Sequence, residues 1–130
     1  MKLFQPRSYS PQQANPATFT GDATMVRMDG VCDDPTVNVY RVAFQPAART
    51  AWHVHSGPQI LLVVEGRCRV QQEGEVVRQV ETGGVICIEP GERHWHGASP
   101  DAPMTHIALN IDASTTWLTK VSDSDYHGSA

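Results

Sequence analysis

The sequence predicts an all-β protein built as a sandwich or barrel, and three observations support this prediction. Short runs of apolar residues alternate with polar ones, as expected of strands with one buried face. A turn signal rich in Gly, Pro, Asn or Asp follows about every 8–12 residues, a spacing typical of sandwiches and barrels. No segment sustains the 3.6-residue apolar period of an amphipathic helix.

The chain is expected to begin with an extended arm and to continue as one domain. In residues 1–17, three prolines interrupt a polar stretch, which predicts an arm that is loose or lies across a neighbouring subunit. Residues 18–130 are expected to form one domain. Its strand-like runs are, in chain order, ATMVRMDG, TVNVYRVAFQP, RTAWHVH, QILLVVEGRCRVQQEGEVVRQV, GGVICIEPGERHWHG and MTHIALNID.

Turn residues divide these runs further. Gly66 is expected to break the long fourth run, and residues 73–75 are expected to form a hairpin tip. The series of strands is expected to close at Asp112. Residues 122–125 resemble a helix capping box, but the predicted helix is a single turn too short to matter to the core.

Composition excludes several classes of function. The net charge of −4 and the pI near 5.8 give no basic surface, so no nucleic-acid partner is expected. No apolar run approaches the roughly 20 residues that span a bilayer, so no membrane partner is expected either. The N-terminal stretch lacks the apolar region of a signal peptide, which predicts a cytoplasmic protein.

The three cysteines predict neither a disulfide framework nor a cysteine-based zinc site, because their count is odd and no CxxC pair occurs. Cys68 and Cys87 lie in strand-like runs and are expected to be small buried hydrophobes. Cys32 lies in a turn-like stretch and is expected to be exposed.

Histidine placement is the most informative feature of the sequence. Side chains two apart on a strand share a face, so His53 and His55 point the same way, as do His94 and His96. His106 lies on the last predicted strand. These five of the six histidines can face one interior, whereas His127 in the tail is expected to be solvated.

A single histidine on a strand is more often an ordinary core residue than a ligand, but two HxH pairs change that balance. Burying several neutral imidazoles without partners costs roughly 1–3 kcal/mol each, and a divalent cation removes much of this penalty. Gln59 begins the strand after the Gly57-Pro58 turn and can return beside the first pair. Imidazole together with amide oxygen suits a first-row ion: manganese, iron, nickel, cobalt or zinc.

These residues carry a family resemblance. HVHSGPQILLVVEG resembles the first cupin motif, with His53, His55, Gln59 and Gly66 at its defining positions, and GGVICIEPGERHWHG resembles the second, with His94 at the position of the metal histidine. The similarity spans residues 37–112. It implies a cupin double-stranded β-helix, a jelly-roll-like barrel, with one divalent metal and often a dimer or tetramer. Ala47 stands where the first motif usually opens with Gly.

Within the cupins, the stretches ARTAWHVHSGPQ, PGERHWHGASP, MTHIALN and WLTKVSDSDY are similar to small bacterial manganese-dependent hydroxynitrile lyases. This resemblance implies manganese bound by three histidines and a glutamine, which map onto His53, His55, Gln59 and His94. It also implies that His106 moves the proton. Gln59 is neutral where Glu is commoner, which leaves the site more positive and favours Lewis-acid chemistry over redox chemistry.

Other residues are expected around the same pocket. Tyr40 and Val42 are candidate walls, while Thr50 and Asn110 are candidate hydrogen-bond donors to a small-molecule substrate. His96 is expected either to orient a ligand or to lie at the cavity rim. Tyr40 is bulkier than the residue expected there in the lyases. Trp52 and Trp95 alternate away from the candidate ligands and are expected to pack outside the barrel.

Three functions follow from these expectations. The leading one is a metal-dependent lyase of the hydroxynitrile type, with His106 as general base. The second is an iron- or nickel-dependent dioxygenase acting on a small aromatic or diketone. The third is a cupin that binds a small ligand without catalysis. In that case, replacing His94 would lower stability and metal content without abolishing any turnover.

Overall fold

The structure is a computed structural model that describes residues 1–128 and confirms the predicted all-β class. The described residues form two antiparallel β-sheets that enclose a common core. The strands are β1 (Gln12–Gln13), β2 (Phe19–Thr20), β3 (Ala23–Asp33), β4 (Thr36–Phe44), β5 (Arg49–Thr50), β6 (His53–His55), β7 (Gln59–Glu65), β8 (Cys68–Gln72), β9 (Arg78–Val80), β10 (Val85–Ile88), β11 (His94–Ala98), β12 (Met104–Ile111) and β13 (Thr115–Trp117). The helices are a 3₁₀ turn (Pro6–Ser8) and α1 (Asp123–His127).

The first sheet has the strand order β1-β3-β4-β12-β7-β10. Strand β12 lies at its centre, between β4 and β7. The register places His106 opposite Val42 on one side and Val63 on the other, next to an irregularity between Thr105 and His106. The same pairing places Asn110 opposite Gln59. Sequence-distant residues are therefore brought into rows that cross the sheet.

The second sheet follows the path β13-β6-β11-β5-β2, with β8 paired to β11 and β9 paired to β8. In it His94 lies directly opposite His53. The hairpin predicted at residues 73–75 is confirmed, because it joins β8 to β9. The strand-like run predicted over residues 49–55 is interrupted: it is divided into β5 and β6, which both pair with β11 but have β2 and β13, respectively, as their other neighbours.

The core is filled by the inward faces of both sheets. Strands β7 and β8 alternate buried and less buried positions, as their two-residue periodicity requires. Phe44, Val63 and Met104 from the first sheet pack with Cys68 and Ala98 from the second. Phe44 also packs against the rings of His96 and His106, so this apolar core borders the histidines.

Two backbone positions explain features of the motifs. Ala47, where the first cupin motif usually has glycine, has a φ of 67°, the left-handed region that glycine adopts without strain. Gly66 has a φ of 74°, and a Cβ there would lie 2.1 Å from the carbonyl oxygen of Pro103. The interruption between strands that was predicted at Gly66 therefore has a steric reason.

The chain continues to build the barrel beyond Asp112, so the prediction that the strands close there is wrong. Asp112 turns the chain with a φ of 45°, and β13 then pairs with β6. A strand of three residues is too short to give a recognisable sequence period. Its partner is nevertheless the strand that carries the first histidine pair.

The C-terminal helix has a larger role than its length suggested. Ser122 caps α1 by accepting a hydrogen bond from the amide of Asp125, as predicted. Tyr126 is fully buried, packs against Trp95 and donates its hydroxyl hydrogen bond to the carbonyl of Ala98. The prediction that this turn does not matter to the core is therefore wrong. Among the described residues, no helix has the length and apolar character needed to cross a membrane.

The remaining local predictions have mixed outcomes. Cys68 is buried and Cys32 is exposed, as expected, but Cys87 is exposed because its strand turns that face to solvent. His127 is exposed, as expected. In the N-terminal segment, Gln12 and Gln13 pair with β3, and Ala14 is buried in the core.

Candidate metal centre

Three imidazoles and one amide meet inside the barrel. His53 and His55 come from β6, His94 from β11 and Gln59 from the start of β7, and all four are buried. The ring centres of His53 and His94 are 4.2 Å apart, and those of His53 and His55 are 4.9 Å apart. Alternation on β6 and the pairing of β6 with β11 produce this convergence.

Oxygen atoms fix the orientation of the three rings. The Nδ1 of His53 lies 2.9 Å from the carbonyl oxygen of Ala51, and the Nδ1 of His94 lies 2.9 Å from that of Glu92. Since a carbonyl only accepts, each Nδ1 carries the proton, and each Nε2 keeps its lone pair. The Nδ1 of His55 lies 3.0 Å from the hydroxyl of Thr115.

The amide of Gln59 is oriented by Asn110. The Nε2 of Gln59 donates to the Oδ1 of Asn110 at 2.8 Å. This bond leaves the Oε1 of Gln59 buried and without a hydrogen-bond partner among the described residues. Asn110 thus turns the amide so that its acceptor, and not its donor, remains free.

The arrangement fits a divalent metal. His55 Nε2, His94 Nε2 and Gln59 Oε1 are buried acceptors with no partner within residues 1–128, an unfavourable state that a cation relieves. Burial lowers the pKa of His55, lowers that of His53 well below its usual value, and lowers that of His94 to about 4. The three rings are therefore neutral near pH 7, as metal ligation requires.

His96 lies close to the same group. Nitrogen atoms of His53, His94 and His96 all lie within 4.8 Å of one another. Among the described residues, no nitrogen of His55 forms so compact a group with those of His53 and His94. His53 and His94 are therefore common to two possible ligand sets, one completed by His55 and Gln59 and the other by His96.

His96 also forms a direct hydrogen bond with His106. The Nε2 of His106 lies 2.8 Å from the Nδ1 of His96, and Phe44 packs edge-on against both rings. The backbone N–H of His96 donates to the hydroxyl of Thr50 at 3.2 Å. His96 is only 4% exposed, so the alternative that it lies at the cavity rim is wrong.

The positions of the protons on His96 and His106 determine where the pair has a free lone pair. Burial lowers the pKa of His106 to about 4 and that of His96 well below its usual value, so both rings are neutral near pH 7. One of their two protons occupies the shared hydrogen bond. The other is at His106 Nδ1 or at His96 Nε2, both of which are buried and unpartnered among the described residues. The pair therefore offers one free lone pair, at either end.

Four of these histidines, His53, His55, His96 and His106, line a cavity of about 330 Å³, and Gln59 lines it too. All five residues predicted to contact substrate line it: Tyr40, Val42, Thr50, His96 and Asn110. Asn110 and Thr50 act as acceptors in the bonds described above, from the Gln59 amide and the His96 backbone N–H respectively, so these bonds do not use the donor groups that were predicted to contact substrate. Tyr40 and Val42 belong to β4, the strand that pairs with β12 in the same sheet.

Several lining residues were missed by the sequence-based prediction. Thr115 and Trp117 come from β13, beyond the predicted end of the strands, and Trp117 packs on the ring of His53 at 4.6 Å between centres. The alternation of Thr115 and Trp117 was the available signal, but three residues are too few to establish a period. Phe19, Met25 and Arg27 complete the mouth of the cavity.

Sequence comparison identifies a family. Residues 40–110 match the model of the cupin domain. The chain is 39% identical over 111 residues to an (R)-mandelonitrile lyase from Granulicella tundricola, a match that covers 83% of this chain and 85% of the relative.

Solved structures share the architecture. A cupin-like protein from Thermotoga maritima superposes with a TM-score of 0.84 at 32% identity, over 98% of this chain and 96% of the other. A polyketide cyclase from Streptomyces resistomycificus superposes with a TM-score of 0.73 at 15% identity, over 98% and 91% of the two chains. The second likeness concerns the fold alone.

Proposed function

The chain belongs to the cupin family, and we propose that it is a metal-dependent enzyme that cleaves hydroxynitriles into a carbonyl compound and cyanide. The observation that carries this proposal is one cavity lined by three members of the buried ligand cluster, His53, His55 and Gln59, and by the neutral pair of His96 and His106. The similarity to an (R)-mandelonitrile lyase supports the reaction class. The substrate is then a small hydroxynitrile.

We assign the metal to His53, His55, Gln59 and His94. Each of the three rings has its Nδ1 held by an oxygen atom, and Asn110 leaves the Gln59 oxygen free, so four donor atoms are pre-oriented. When bound, a divalent cation supplies Lewis-acid polarisation of a hydroxyl or carbonyl oxygen. Manganese is the first choice, and iron, nickel, cobalt and zinc suit the same donors.

We assign His96 to the base and not to the ligand set, because its Nδ1 is bonded to a second titratable ring. With the shared proton on His106 Nε2, His96 accepts it and His106 keeps a free lone pair at Nδ1. In this arrangement the pair supplies the tautomer of His106 that can act as a base. Thr50 fixes the backbone of His96, and Phe44 restrains both rings.

His106 acts as the general base of the cleavage. Its Nδ1 takes the proton of the substrate hydroxyl, the O–H electron pair forms the carbonyl, and the bond to the cyano carbon breaks with its electrons leaving as cyanide. The proton on His106 then passes to cyanide, which restores the neutral ring. Because burial holds the pKa of His106 at about 4, the ring remains a free base at mildly acidic pH.

The test uses manganese-loaded protein and mandelonitrile at mildly acidic pH, with benzaldehyde release followed by absorbance. We expect His106→Ala to lower the rate by about 10²- to 10⁴-fold while manganese content, measured by elemental analysis, stays constant. His127→Ala is the matched control, since that histidine is exposed and far from the pair in sequence. A wild-type rate no higher than that of His106→Ala would contradict the proposal.

The subunit arrangement and compartment stay predictions. A dimer or tetramer, implied by the resemblance to cupins, is measurable by light scattering on the purified protein. A cytoplasmic location is measurable by cell fractionation. Neither result alters the assignment of the cluster.

A further inference from the structure

Arg27 stands apart among the residues that line the cavity. Apart from the histidines, it is the one basic or acidic side chain in the lining formed by the described residues. It also lines a second, larger cavity of about 770 Å³ beside the N-terminal segment, which shares Phe19, Met25 and Trp117 with the first. The positively charged side chain of Arg27 therefore lies between the histidine-containing cavity and the second, more polar cavity.

The sheet places Arg27 at a defined distance from the histidine pair. Arg27 on β3 is opposite Tyr40 on β4, which is opposite Ala108 on β12, two residues from His106. Neighbouring strands lie about 4.8 Å apart and residues rise about 3.3 Å along a strand, so the Cα atoms of Arg27 and His106 are about 12 Å apart. That span accommodates one aromatic ring with a substituent at each end, once the two side chains extend toward it.

The guanidinium of Arg27 is restrained by stacking, but its only ion pair among the described residues is an exposed one that a ligand can displace. Its carbon lies 5.5 Å from the centre of the Tyr40 ring, a stacking that restrains the side chain over the cavity wall. Its partner Asp29 is 3.4 Å away, and both side chains are about three-fifths exposed, at 61% and 59%. Such an exposed ion pair contributes little, so a ligand carboxylate can replace Asp29 at small cost.

We propose that Arg27 is a specificity-determining residue that selects substrates with a carboxylate on the side remote from the reacting carbon. An arginine fork binds a carboxylate through two parallel hydrogen bonds, which a lysine or a neutral side chain cannot reproduce. The wall between Arg27 and His106 is formed by Tyr40 and Val42, which suits an aromatic ring. This inference names the substrate class of the reaction proposed above and rests on it for the identity of the reacting carbon.

The experiment compares two probes of similar shape, the anionic para-formylbenzoate and the neutral para-formylbenzamide. Their dissociation constants for the manganese-loaded protein are measured by calorimetry. We expect the carboxylate to bind about tenfold more tightly than the amide, and Arg27→Met to reduce that ratio to about one. Arg27→Lys is expected to retain part of the ratio. Asp29→Asn is expected to increase it, since the competing carboxylate is removed.

Arg41→Met is the matched control, because Arg41 lies one position beyond Tyr40 on β4, is exposed and is absent from the cavity lining. It should leave the ratio of dissociation constants unchanged. Equal binding of both probes by the wild-type protein would overturn the inference. So would a preference for the carboxylate that survives in Arg27→Met, because the carboxylate would then bind elsewhere.

The binding measurement needs no turnover, so its failure and that of the proposed reaction are distinguishable. Carboxylate selection by Arg27 without aldehyde release from mandelonitrile or from its para-carboxy derivative would keep the binding role and refute the lyase. Benzaldehyde release together with equal binding of the two probes would refute the role of Arg27 and keep the lyase.

Discussion

Two groups of buried histidines contribute to the lining of one cavity, and the atoms that hold their Nδ1 positions differ in kind. In the cluster of His53, His55 and His94, each Nδ1 is bonded to an oxygen atom, and two of those oxygens are backbone carbonyls that only accept. In the pair formed by His96 and His106, each ring is the hydrogen-bond partner of the other. The first arrangement fixes a proton, whereas the second allows it to be at either end.

This difference separates two tasks that imidazole performs. A metal ligand needs a lone pair that always points the same way, which a fixed tautomer provides. A general base needs a ring that gains and loses a proton during turnover, which requires a partner able to adapt. The same side chain, similarly buried in the same barrel, is therefore specialised by the chemistry of its neighbour.

Removing one imidazole from each group should produce the largest difference in manganese affinity. We expect His94→Ala to lower manganese affinity by at least about 100-fold, because a ligand is lost from a pre-oriented set whose outer partners alone contribute about 10- to 100-fold. His106→Ala should leave manganese affinity within about threefold of wild type. Competition with a metal-sensitive chelator measures both, and equal losses in the two variants would erase the distinction.

Acidification should destabilise the metal-free protein through both groups. His94 and His106 have folded-state pKa values of about 4 against an ordinary 6.5, so between these values the unfolded chain binds more protons than the folded one. Stability therefore falls as pH drops through this window, by up to about 1.4 kcal/mol per pH unit for each ring.

Urea unfolding of the metal-free protein at several pH values between 7 and 4 measures this slope. His106→Ala should reduce it by the share of one ring, while the share of His94 stays. Adding manganese should steepen the dependence, since protons compete with the ion for the cluster alone. A free energy of unfolding that does not change between pH 7 and 5 would contradict the buried, neutral state of these rings.

The oxygen atom that orients His55 offers a smaller and more selective change. Thr115→Val keeps the shape of the side chain but removes the hydroxyl bonded to His55 Nδ1. We expect manganese affinity to fall about 10- to 100-fold, with no change in the histidine pair. Thr116→Val on the outward face of the same strand is the matched control and should bind manganese as the wild type does. Equal affinities in the two variants would show that the hydroxyl does not hold the ring.

Local alternation and the family resemblance together predicted the residues assigned to the cluster. His53 and His55 share a face because strand side chains alternate, and the spacing to Gln59 and His94 carried the family resemblance. The role of Asn110 was not predictable in the same way. Its amide orients Gln59 only because β12 and β7 are neighbours, and strand order is a non-local property.

The same limit applies to the histidine pair and to β13. His96 and His106 lie on different sheets, so nothing in their sequence spacing indicates that their rings meet. Thr115 and Trp117 follow a turn at Asp112 that resembles an end to the fold, and three residues give no usable period. In each case the missing information is which segments become neighbours when the barrel closes.

A substitution on the outward face of β11 should have the smallest effect on manganese affinity. It tests whether the interior contacts alone orient the two groups of histidines. Trp95 lies between His94 and His96 but faces the opposite side of the strand, where Tyr126 packs against it and bonds to the carbonyl of Ala98. Tyr126→Phe keeps the ring and removes that hydrogen bond, so we expect a loss of about 1 kcal/mol in the free energy of unfolding. Manganese affinity should stay within about threefold, because alternation separates this contact from both groups of imidazoles. Urea unfolding and chelator competition on the same preparation measure the two quantities together. A large loss of affinity in Tyr126→Phe would mean that packing on the outer face, and not the oxygen atoms inside the barrel, holds the rings in place.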